Sequence, residues 1–263
     1  MSVRDYGDEE LLKFCDSAIN LQEQSGLKNS MNMFALKHGG KILGKTRTDM
    51  IGVLDHGSMF LLSENQWNKL LKSSEIAKIC KSSETVKTGT ENQKKHHLDL
   101  GSGDGEVLIP LSKSIKTTPY CTEISISMQN RLKQKNFSII EHDNWLSKDF
   151  YSTISMLNLL DRCHNPHDML ASAQFCEPEN LIVSAVFPVL QSVEYLPNKK
   201  NFQKIPVAVR ASFENQFAQY VEFVERFGFG LASWTKTPYI STGSKESCYH
   251  VLENATMVFK FKN

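Results

Sequence analysis

A glycine-rich turn directly after a short apolar segment is the feature that most constrains the fold of this chain. The stretch HLDLGSGDGEV, residues 97–107, places glycines at alternate positions from Gly101 onward. Glycine adopts the left-handed backbone conformations of such turns at little steric cost. In open α/β sheets, ligands bind at the carboxyl ends of parallel strands. The stretch therefore predicts a strand, a ligand-binding turn and then a helix.

Strand and helix patterns alternate from this turn to the end of the chain. The segments typical of buried strands are 97–101, 119–123, 137–141, 152–158 and 180–187. An amphipathic helix is predicted over 211–227, followed by two strands over 229–240 and 248–261. This order predicts an α/β fold with a parallel sheet and helices on both faces. The final hairpin is expected to add an antiparallel strand at one edge.

The part of the chain before the turn has a different character. At Ser63 a helix is expected to begin, and Gln66 completes a capping box. Residues 73–96 are rich in Ser, Thr and Lys, which is typical of a polar loop. We therefore expect a helical extension over 1–72, a flexible loop over 73–96 and a core domain over 97–263.

Charge and cysteine content narrow the classes of function. A formal net charge of +1 over 263 residues is too small for a protein that neutralises many phosphates, so nucleic acid is not an expected partner. The six cysteines lack CxxC spacing and the eight histidines lack an HExxH motif, so no metal is expected. Without an apolar leader or a membrane-length apolar run, the chain is expected to be intracellular, in the cytoplasm, with no membrane span.

The residues within the turn discriminate between classes of nucleotide-like ligand. A dinucleotide-binding turn needs a third glycine where Glu106 stands, and the GK[ST] ending of a phosphate-binding loop is missing. The carboxylates of Asp104 and Glu106 would repel phosphates, whereas S-adenosylmethionine carries two cationic groups and no phosphate. The same charges could alternatively serve only to favour a helix N-terminus. The turn residues expected to hold S-adenosylmethionine are Asp99, Gly101, Ser102, Gly103 and Asp104.

Two later strand ends complete the predicted donor site. Glu123 follows the second strand, about twenty residues after the turn, where a carboxylate can accept both ribose hydroxyls. After the third strand, either Asp143 or Asn144 could bond the adenine amino group. The three consecutive strand ends therefore predict contacts along the whole donor.

The fourth strand ends in SMLNLLDRCHNP, which places polar groups where an acceptor would lie. Asn158 can both donate and accept hydrogen bonds, and the Asp161 carboxylate, with which Arg162 could pair, follows three residues later. Alternatively, Asn158 and Asp161 could only cap the next turn of chain. The residues alone do not decide between these two roles.

Several motifs resemble the DREV family, also called methyltransferase-like protein nine, of protein-histidine N-pros-methyltransferases. They are HGSMFLLSENQWNKLL, LDLGSGDGEV, TEIS, LNLLDRC, the PY pair at 238–239 and YHVLENA, and they span Gly57 to the C-terminus. The resemblance implies a class I, Rossmann-like, seven-stranded methyltransferase fold. It also implies methyl transfer from S-adenosylmethionine to the pros (N1) nitrogen of histidine in His-x-His stretches of a protein or peptide, where x is small.

Carried over residue by residue, the resemblance assigns roles at both ends of the site. The donor residues that it implies are Asp99, Gly101, Gly103, Glu123 and Asp143. Asn158, which also borders the donor, and Asp161 would face the acceptor imidazole, while Tyr249 or His250 closes the pocket. The residues expected to contact the substrate are Ser58, Met59, Arg162 and Tyr239.

Other functions remain open at this point. A methyltransferase acting on an RNA base or a protein N-terminus would use the same donor site, although the NPPY-type strand end common in nucleic-acid enzymes is missing. A non-catalytic binding protein could also retain the fold. The spacing of the glycines makes a dehydrogenase the weakest of these alternatives.

Overall fold

The computed structural model describes residues 8–24, 34–36, 43–54, 57–74, 96–147, 150–194, 202–242 and 247–262. Within these ranges, the helices are α1 (Glu9–Gln24), α2 (Arg47–Leu54), α3 (Glu64–Ser73), α4 (Leu108–Ile115), α5 (Ile126–Gln134), α6 (Pro166–Cys176) and α7 (Phe213–Glu225). The strands are β1 (Met59–Phe60), β2 (His96–Leu100), β3 (Tyr120–Thr122), β4 (Ser138–Ile139), β5 (Tyr151–Leu157), β6 (Asn180–Phe187), β7 (Phe229–Thr242) and β8 (Tyr249–Phe261).

The strands in the described part of the chain form one mixed sheet in the order β1-β7-β8-β6-β5-β2-β3-β4. Strands β2 to β6 pair in parallel, which confirms the predicted parallel core. The predicted strands and the helix 211–227 all lie within two residues of the observed elements, and 180–187 coincides with β6. The α/β fold is therefore the one that the alternating pattern predicts.

The final hairpin does not simply add a strand at the edge of the sheet, as was expected. Strand β8 lies between β6 and β7 and pairs antiparallel with both. The connection through α7 leaves room for one strand between β6 and β7, and β8 returns from β7 to fill that position. Residues 255–259 of β8 are fully buried, as expected of a strand that is covered on both faces. The edge is instead formed by β1, a two-residue strand that the sequence pattern does not predict.

Apolar side chains fill both faces of the sheet. On β6, Leu181 and Val183 belong to the core beneath α6 and α7, whereas Ile182 belongs to the core beneath α3, α4 and α5. This alternation follows from the two-residue period of a strand. The capping box predicted at α3 is also present, because Gln66 N donates to Ser63 Oγ at 3.2 Å and Ser63 N donates to Gln66 Oε1 at 3.0 Å.

Residues before the core pack onto it at two places. In α1, Leu11 and Cys15 pack against Phe60 of β1 and Ile240 of β7. In α2, Asp49 Oδ1 accepts a hydrogen bond of 2.6 Å from Ser125 Oγ, directly before α5. The expected extension thus contacts the sheet, while its boundary at residue 72 stays a prediction. None of the helices that the structure describes is both long and apolar enough to cross a bilayer.

Gly52 allows the close approach of α2 to α5. A Cβ atom at Gly52 would overlap Ser127 Oγ and would lie only 3.1 Å from the carbonyl carbon of Ser127. We expect Gly52→Ala to lower the free energy of unfolding by about 1–2 kcal/mol, because overpacking outweighs the gain in helix propensity. Denaturant titration would measure this change. The matched control is Val53→Ala on the exposed side of α2, with an effect within about 0.5 kcal/mol; equal effects of both changes would contradict the prediction.

Candidate active site

The glycine turn lies at the carboxyl end of β2 and is tied to the end of β3. Gly101 and Gly103 have positive φ angles of 69° and 56°, as the glycine spacing predicts. The amides of Gly101 and Ser102 both donate to Thr122 O at 3.0 Å. Gly101 also contacts the acceptor side, because a Cβ atom there would be 2.5 Å from Leu159 Cδ1. The turn therefore has no room for a side chain at Gly101, whereas a Cβ at Gly103 would meet no atom within 4 Å.

Asp99 is a buried carboxylate beneath this turn. Its side chain accepts a short hydrogen bond from Ser155 Oγ, and Ser102 Oγ donates to the Asp99 carbonyl oxygen at 3.1 Å. Burial raises the pKa of Asp99 to about 7, and the neighbouring charge of Glu123 contributes in the same direction. Such a carboxylate favours a cationic ligand, because an opposite charge relieves its burial in a medium of low dielectric constant.

Glu123 is fixed at the end of β3 by two backbone amides. Gly103 N donates to its Oε2 and Ser125 N donates to its Oε1, each at 2.8 Å. Burial raises the pKa of Glu123, and these two hydrogen bonds act in the opposite direction. Each carboxylate oxygen has a second lone pair. The geometry therefore leaves Glu123 able to accept the two ribose hydroxyls that the sequence predicts for it.

The two acidic residues of the turn have a different environment from the one expected. Asp104 Oδ2 lies 3.4 Å from an Arg131 nitrogen, and Glu106 Oε1 lies 2.6 Å from Lys135 Nζ. Lys135 Nζ also donates to Asp104 O at 2.6 Å. Because α5 and its C-terminus balance both charges, these two carboxylates do not by themselves explain a cationic donor, and their part in selecting it stays a prediction. A direct contact of Asp104 with the donor stays a prediction.

The adenine candidates lie just beyond β4, next to the end of β3. Asp143 is exposed and pairs with His142 at 3.0 Å. The Asn144 side chain donates to Glu141 Oε2 at 2.7 Å and is exposed as well. Both side chains can turn toward a ligand at this edge, so the choice between them stays open.

At the end of β5, Asn158 is held by two strands that lie far from it in sequence. Its backbone has a positive φ of 54°, and its amide donates to Ser184 O at 3.1 Å. Its Oδ1 accepts from Ser184 Oγ at 3.1 Å. It also accepts from the Asn254 amide nitrogen at 3.0 Å, in the Asn254 orientation that satisfies both of that side chain's groups. Within the described residues, Asn158 Nδ2 is buried and makes no well-formed hydrogen bond, and its one interaction is with the Tyr239 hydroxyl.

The Asp161 side chain provides a buried hydrogen-bond acceptor in the turn after β5. It is 4% exposed, and its Oδ2 accepts from Arg162 Nε at 3.3 Å, the pairing that the sequence indicates. Its Oδ1 is buried without a partner among the described residues, and burial raises the pKa of this carboxyl group. Helix α6 begins only at Pro166. The side-chain hydrogen bonds of Asn158 and Asp161 go to Ser184, Asn254 and Arg162, and the choice between an acceptor role and a local capping role stays open.

Tyr239 joins the acceptor residues to the edge strand β1. Its hydroxyl donates to Met59 Sδ and interacts with the Asn158 side chain. Burial raises the pKa of Tyr239 to about 12, with a smaller contribution from the charge of Asp161. Ser58 holds β1 in place, because its amide donates to Thr242 Oγ1 at 2.9 Å. The predicted substrate residues Met59, Arg162 and Tyr239 therefore surround the Asn158–Asp161 pair, and Ser58 supports them.

Tyr249 and His250 lie elsewhere in the structure. Tyr249 packs against the cluster that includes Leu11 of α1, and His250 is exposed. In the β7–β8 register, Tyr249 pairs with Thr242, whereas Asn254 pairs with Thr237. Tyr249 lies five strand residues, about 17 Å, from Asn254, and His250 lies four residues from it, so no described contact joins either residue to Asn158. Their role in closing the pocket stays a prediction without support from the geometry.

Four residues around the site were missed by sequence reasoning. They are Ser155, Ser184, Tyr220 and Asn254. The hydroxyl of Tyr220 is buried without a partner in the described part of the chain, and the charge of Asp161 is near enough to raise its pKa further. Tyr220 lies on the apolar face of α7, where the sequence pattern predicts that an aromatic residue belongs to the hydrophobic core. The other three are small polar residues inside apolar strands, so no local pattern distinguishes them.

These residues fit S-adenosylmethionine. Three features lie at the carboxyl ends of β2 and β3, as an elongated donor requires. They are the open space beside Gly103, the buried Asp99 carboxylate and the fixed Glu123 carboxylate. Asp99 would hold the donor's ammonium group and Glu123 its ribose. In the described ranges, no group of three or more His, Cys, Asp or Glu side chains is placed to hold a metal ion.

A model of the DREV methyltransferase family matches residues 10–261 of the chain. The match begins well before Gly57, where the recognisable motifs start, and so includes both α1 and α2. Several solved structures are also similar to this chain, and three of them are described below. A SAM-dependent methyltransferase from Thermotoga maritima has 11% identity and a TM-score of 0.40, with 75% of this chain and 96% of that chain covered.

The other two structures are comparably distant. TYW2 of M. jannaschii, in complex with AdoMet, has 13% identity and a TM-score of 0.38, over 70% of this chain and 75% of that chain. The [4+2]-cyclase SpnF has 11% identity and a TM-score of 0.40, over 72% and 80%. At these identities and TM-scores, none of the three bears on the acceptor or the mechanism.

Proposed function

The chain belongs to the DREV methyltransferase family, and on that basis we propose that it methylates the pros nitrogen of histidine in His-x-His stretches of proteins or peptides. The methyl donor is S-adenosylmethionine. The family match supports the transfer of a methyl group. The histidine acceptor comes from the resemblance to protein-histidine N-pros-methyltransferases, and the polar atoms at the end of β5 are compatible with it.

The observation that carries the proposal is a pair of buried polar atoms, three residues apart in the chain, that lack a well-formed hydrogen bond among the described residues: Asn158 Nδ2 and Asp161 Oδ1. The Tyr239 hydroxyl interacts with the Asn158 side chain, and the charge of Asp161 raises the pKa of Tyr239. Asp161 Oδ1 can accept the ring N–H of a neutral imidazole, and a backbone carbonyl oxygen of the substrate peptide can accept from Asn158 Nδ2, which leaves the lone pair of the second ring nitrogen free for the methyl group. Because unpartnered buried polar groups cost free energy, a histidine peptide is favoured at this site. Leu159, which lies between the two residues, touches Gly101 and so places this pair next to the donor turn.

The main contribution of the protein to the reaction is to orient the imidazole relative to the methyl group. When bound, S-adenosylmethionine supplies a methyl group on a positively charged sulfur. Asp161 Oδ1 accepts the N–H of the tele nitrogen, which selects the tautomer with its lone pair on the pros nitrogen. A neutral imidazole is a nucleophile near neutral pH, since its unperturbed pKa is about 6.5. Holding that lone pair in line with the departing sulfur can supply several kcal/mol of the barrier reduction.

Asp161 also has a role after transfer. The new N–C bond forms as the C–S bond breaks with its electron pair on sulfur, and the substrate ring becomes a methylated imidazolium. The Asp161 carboxylate stabilises that positive charge until the tele N–H proton leaves to solvent. Arg162, whose side chain is 53% exposed, balances Asp161 and borders the solvent side where a peptide would enter.

The test is transfer from methyl-labelled S-adenosylmethionine to a peptide of alternating His and Ala, followed by hydrolysis and separation of the methylhistidine isomers. We expect label in the pros isomer. A peptide of alternating His and Trp serves as control and should accept little label. Label in the tele isomer would contradict the assigned orientation. Donor binding without label in the peptide would reject the proposal and direct the search to RNA bases, protein N-termini and then a non-catalytic function.

A further inference from the structure

A chain of three buried polar side chains runs beneath the donor turn. His97 and Asp99 lie two residues apart on β2 and so share one face of the sheet. Ser155 of the adjacent strand β5 pairs with Asp99 in the parallel register. Its hydroxyl oxygen lies 2.7 Å from His97 Nε2 and makes a short hydrogen bond to Asp99 Oδ1. Neither His97 nor Ser155 has any exposed surface.

The direction of these hydrogen bonds follows from the number of protons available. An ionised Asp99 can only accept, so the single hydroxyl proton of Ser155 goes to it. The Leu98 carbonyl oxygen, 3.5 Å from the same hydroxyl, is a weaker competitor. Ser155 Oγ must then accept from His97, which places the imidazole proton on Nε2. Burial lowers the pKa of His97 to about 3, so the ring is neutral, and its Nδ1 has no partner among the described residues.

We propose that His97 and Ser155 are positioning residues for donor binding, which hold Asp99 ionised and turn its carboxylate toward the ammonium group of S-adenosylmethionine. This role rests on the assignment of Asp99 to the donor. His97 polarises the Ser155 hydroxyl, and Ser155 fixes one oxygen of Asp99. The other carboxylate oxygen is left for the ligand.

The need for such support follows from the surroundings of Asp99. Its burial favours the protonated form, and the charge of Glu123, directly after β3, acts in the same direction, whereas the raised pKa of the Cys121 thiol on β3 keeps that group neutral. The hydroxyls of Ser155 and Ser102 act in the opposite direction, with Ser155 the stronger. Only the ionised carboxylate attracts the ammonium group. Donor affinity should therefore be high above the pKa of Asp99 and fall as the pH drops through it.

The experiment is calorimetric titration of the full chain with S-adenosylmethionine between about pH 6 and about pH 9. Ser155→Ala should weaken binding about tenfold near neutral pH and move the midpoint of the pH dependence upward by about one unit. His97→Leu should move it in the same direction by less. His97→Gln, which keeps an N–H donor in place of the ring, should restore the wild-type midpoint. A purely structural role would not produce this shift.

Each outcome decides the matter. If Ser155→Ala and His97→Leu both keep the wild-type midpoint, the positioning role is rejected. If Ser155→Ala does not fold, as thermal unfolding would reveal, the comparison of His97→Leu with His97→Gln decides, and equal midpoints in these two reject the role. An Asp99→Asn variant tests the underlying assignment separately. If Asp99→Asn binds S-adenosylmethionine with wild-type affinity, Asp99 does not belong to the donor site. If Asp99→Asn loses most of its affinity while Ser155→Ala keeps the wild-type midpoint, only the positioning role is rejected.

Discussion

Replacing Asp161 with asparagine is expected to reduce methyl transfer to a His-x-His peptide by about 10²–10³-fold, with donor affinity unchanged within about twofold. The substitution keeps the size of the side chain but removes the charge that fixes the tautomer and stabilises the methylated imidazolium. The fold should persist, because the Arg162 side chain that loses its partner is 53% exposed. Single-turnover kinetics with saturating donor would measure the effect on the chemical step.

The chain offers a matched control for the loss of a paired carboxylate. Glu222 of α7 forms an exposed ion pair of 2.7 Å with Arg226, directly after the helix, and Glu222→Gln should leave turnover unchanged. Asp161→Asn with wild-type turnover and an unchanged ratio of pros to tele product would remove Asp161 from the mechanism.

Alanine at Gly101 and at Gly103 should damage different properties of the protein. A Cβ at Gly101 collides with Leu159, and its φ of 69° is strained for any other residue. Gly101→Ala is therefore expected to lower the free energy of unfolding by about 2–4 kcal/mol. Gly103→Ala has a similar φ but meets no protein atom within 4 Å, so only the conformational cost of about 1 kcal/mol remains.

The affinity for S-adenosylmethionine should distinguish Gly103 from a control glycine outside the turn. The empty space beside Gly103 is where we place the donor, so Gly103→Ala should weaken S-adenosylmethionine binding by at least about tenfold, or 1.4 kcal/mol. Gly44 is the matched control, because its φ is 61° and its Cβ would also meet no atom within 4 Å. Denaturant titration and calorimetry on the three variants measure both properties. Equal donor affinity in Gly103→Ala and Gly44→Ala would contradict the placement of the donor at the turn.

The strands and helices followed from local pattern, but their order in the sheet did not. Periodicity located β6 and α7 within two residues, because burial on one or both faces repeats along the chain. The insertion of β8 between β6 and β7 depends on how far the α7 crossover carries the chain, and no short segment encodes that distance. The two residues of β1 are too few for any period to be visible.

The donor side was easier to predict than the acceptor side. Asp99 and Glu123 directly follow or end recognisable strands, so topology alone places them at one edge. The ion pairs of Asp104 with Arg131 and of Glu106 with Lys135 could not be read from the turn alone, because their partners lie in α5 or directly after it. Tyr249 was assigned by motif, while its position in the structure depends on packing against α1.

By itself, the sequence determined an α/β sheet with a glycine turn for a methyl donor, since strand period, turn chemistry and motif spacing are all local properties. Only the tertiary structure decided which polar atoms are available for an acceptor. Asn158 Oδ1 is occupied by Ser184 and Asn254, from strands more than twenty residues away, and its Nδ2 is left without a well-formed hydrogen bond among the described residues. Whether a buried group is satisfied depends on neighbours that the fold brings together, and that information is absent from any short stretch of chain.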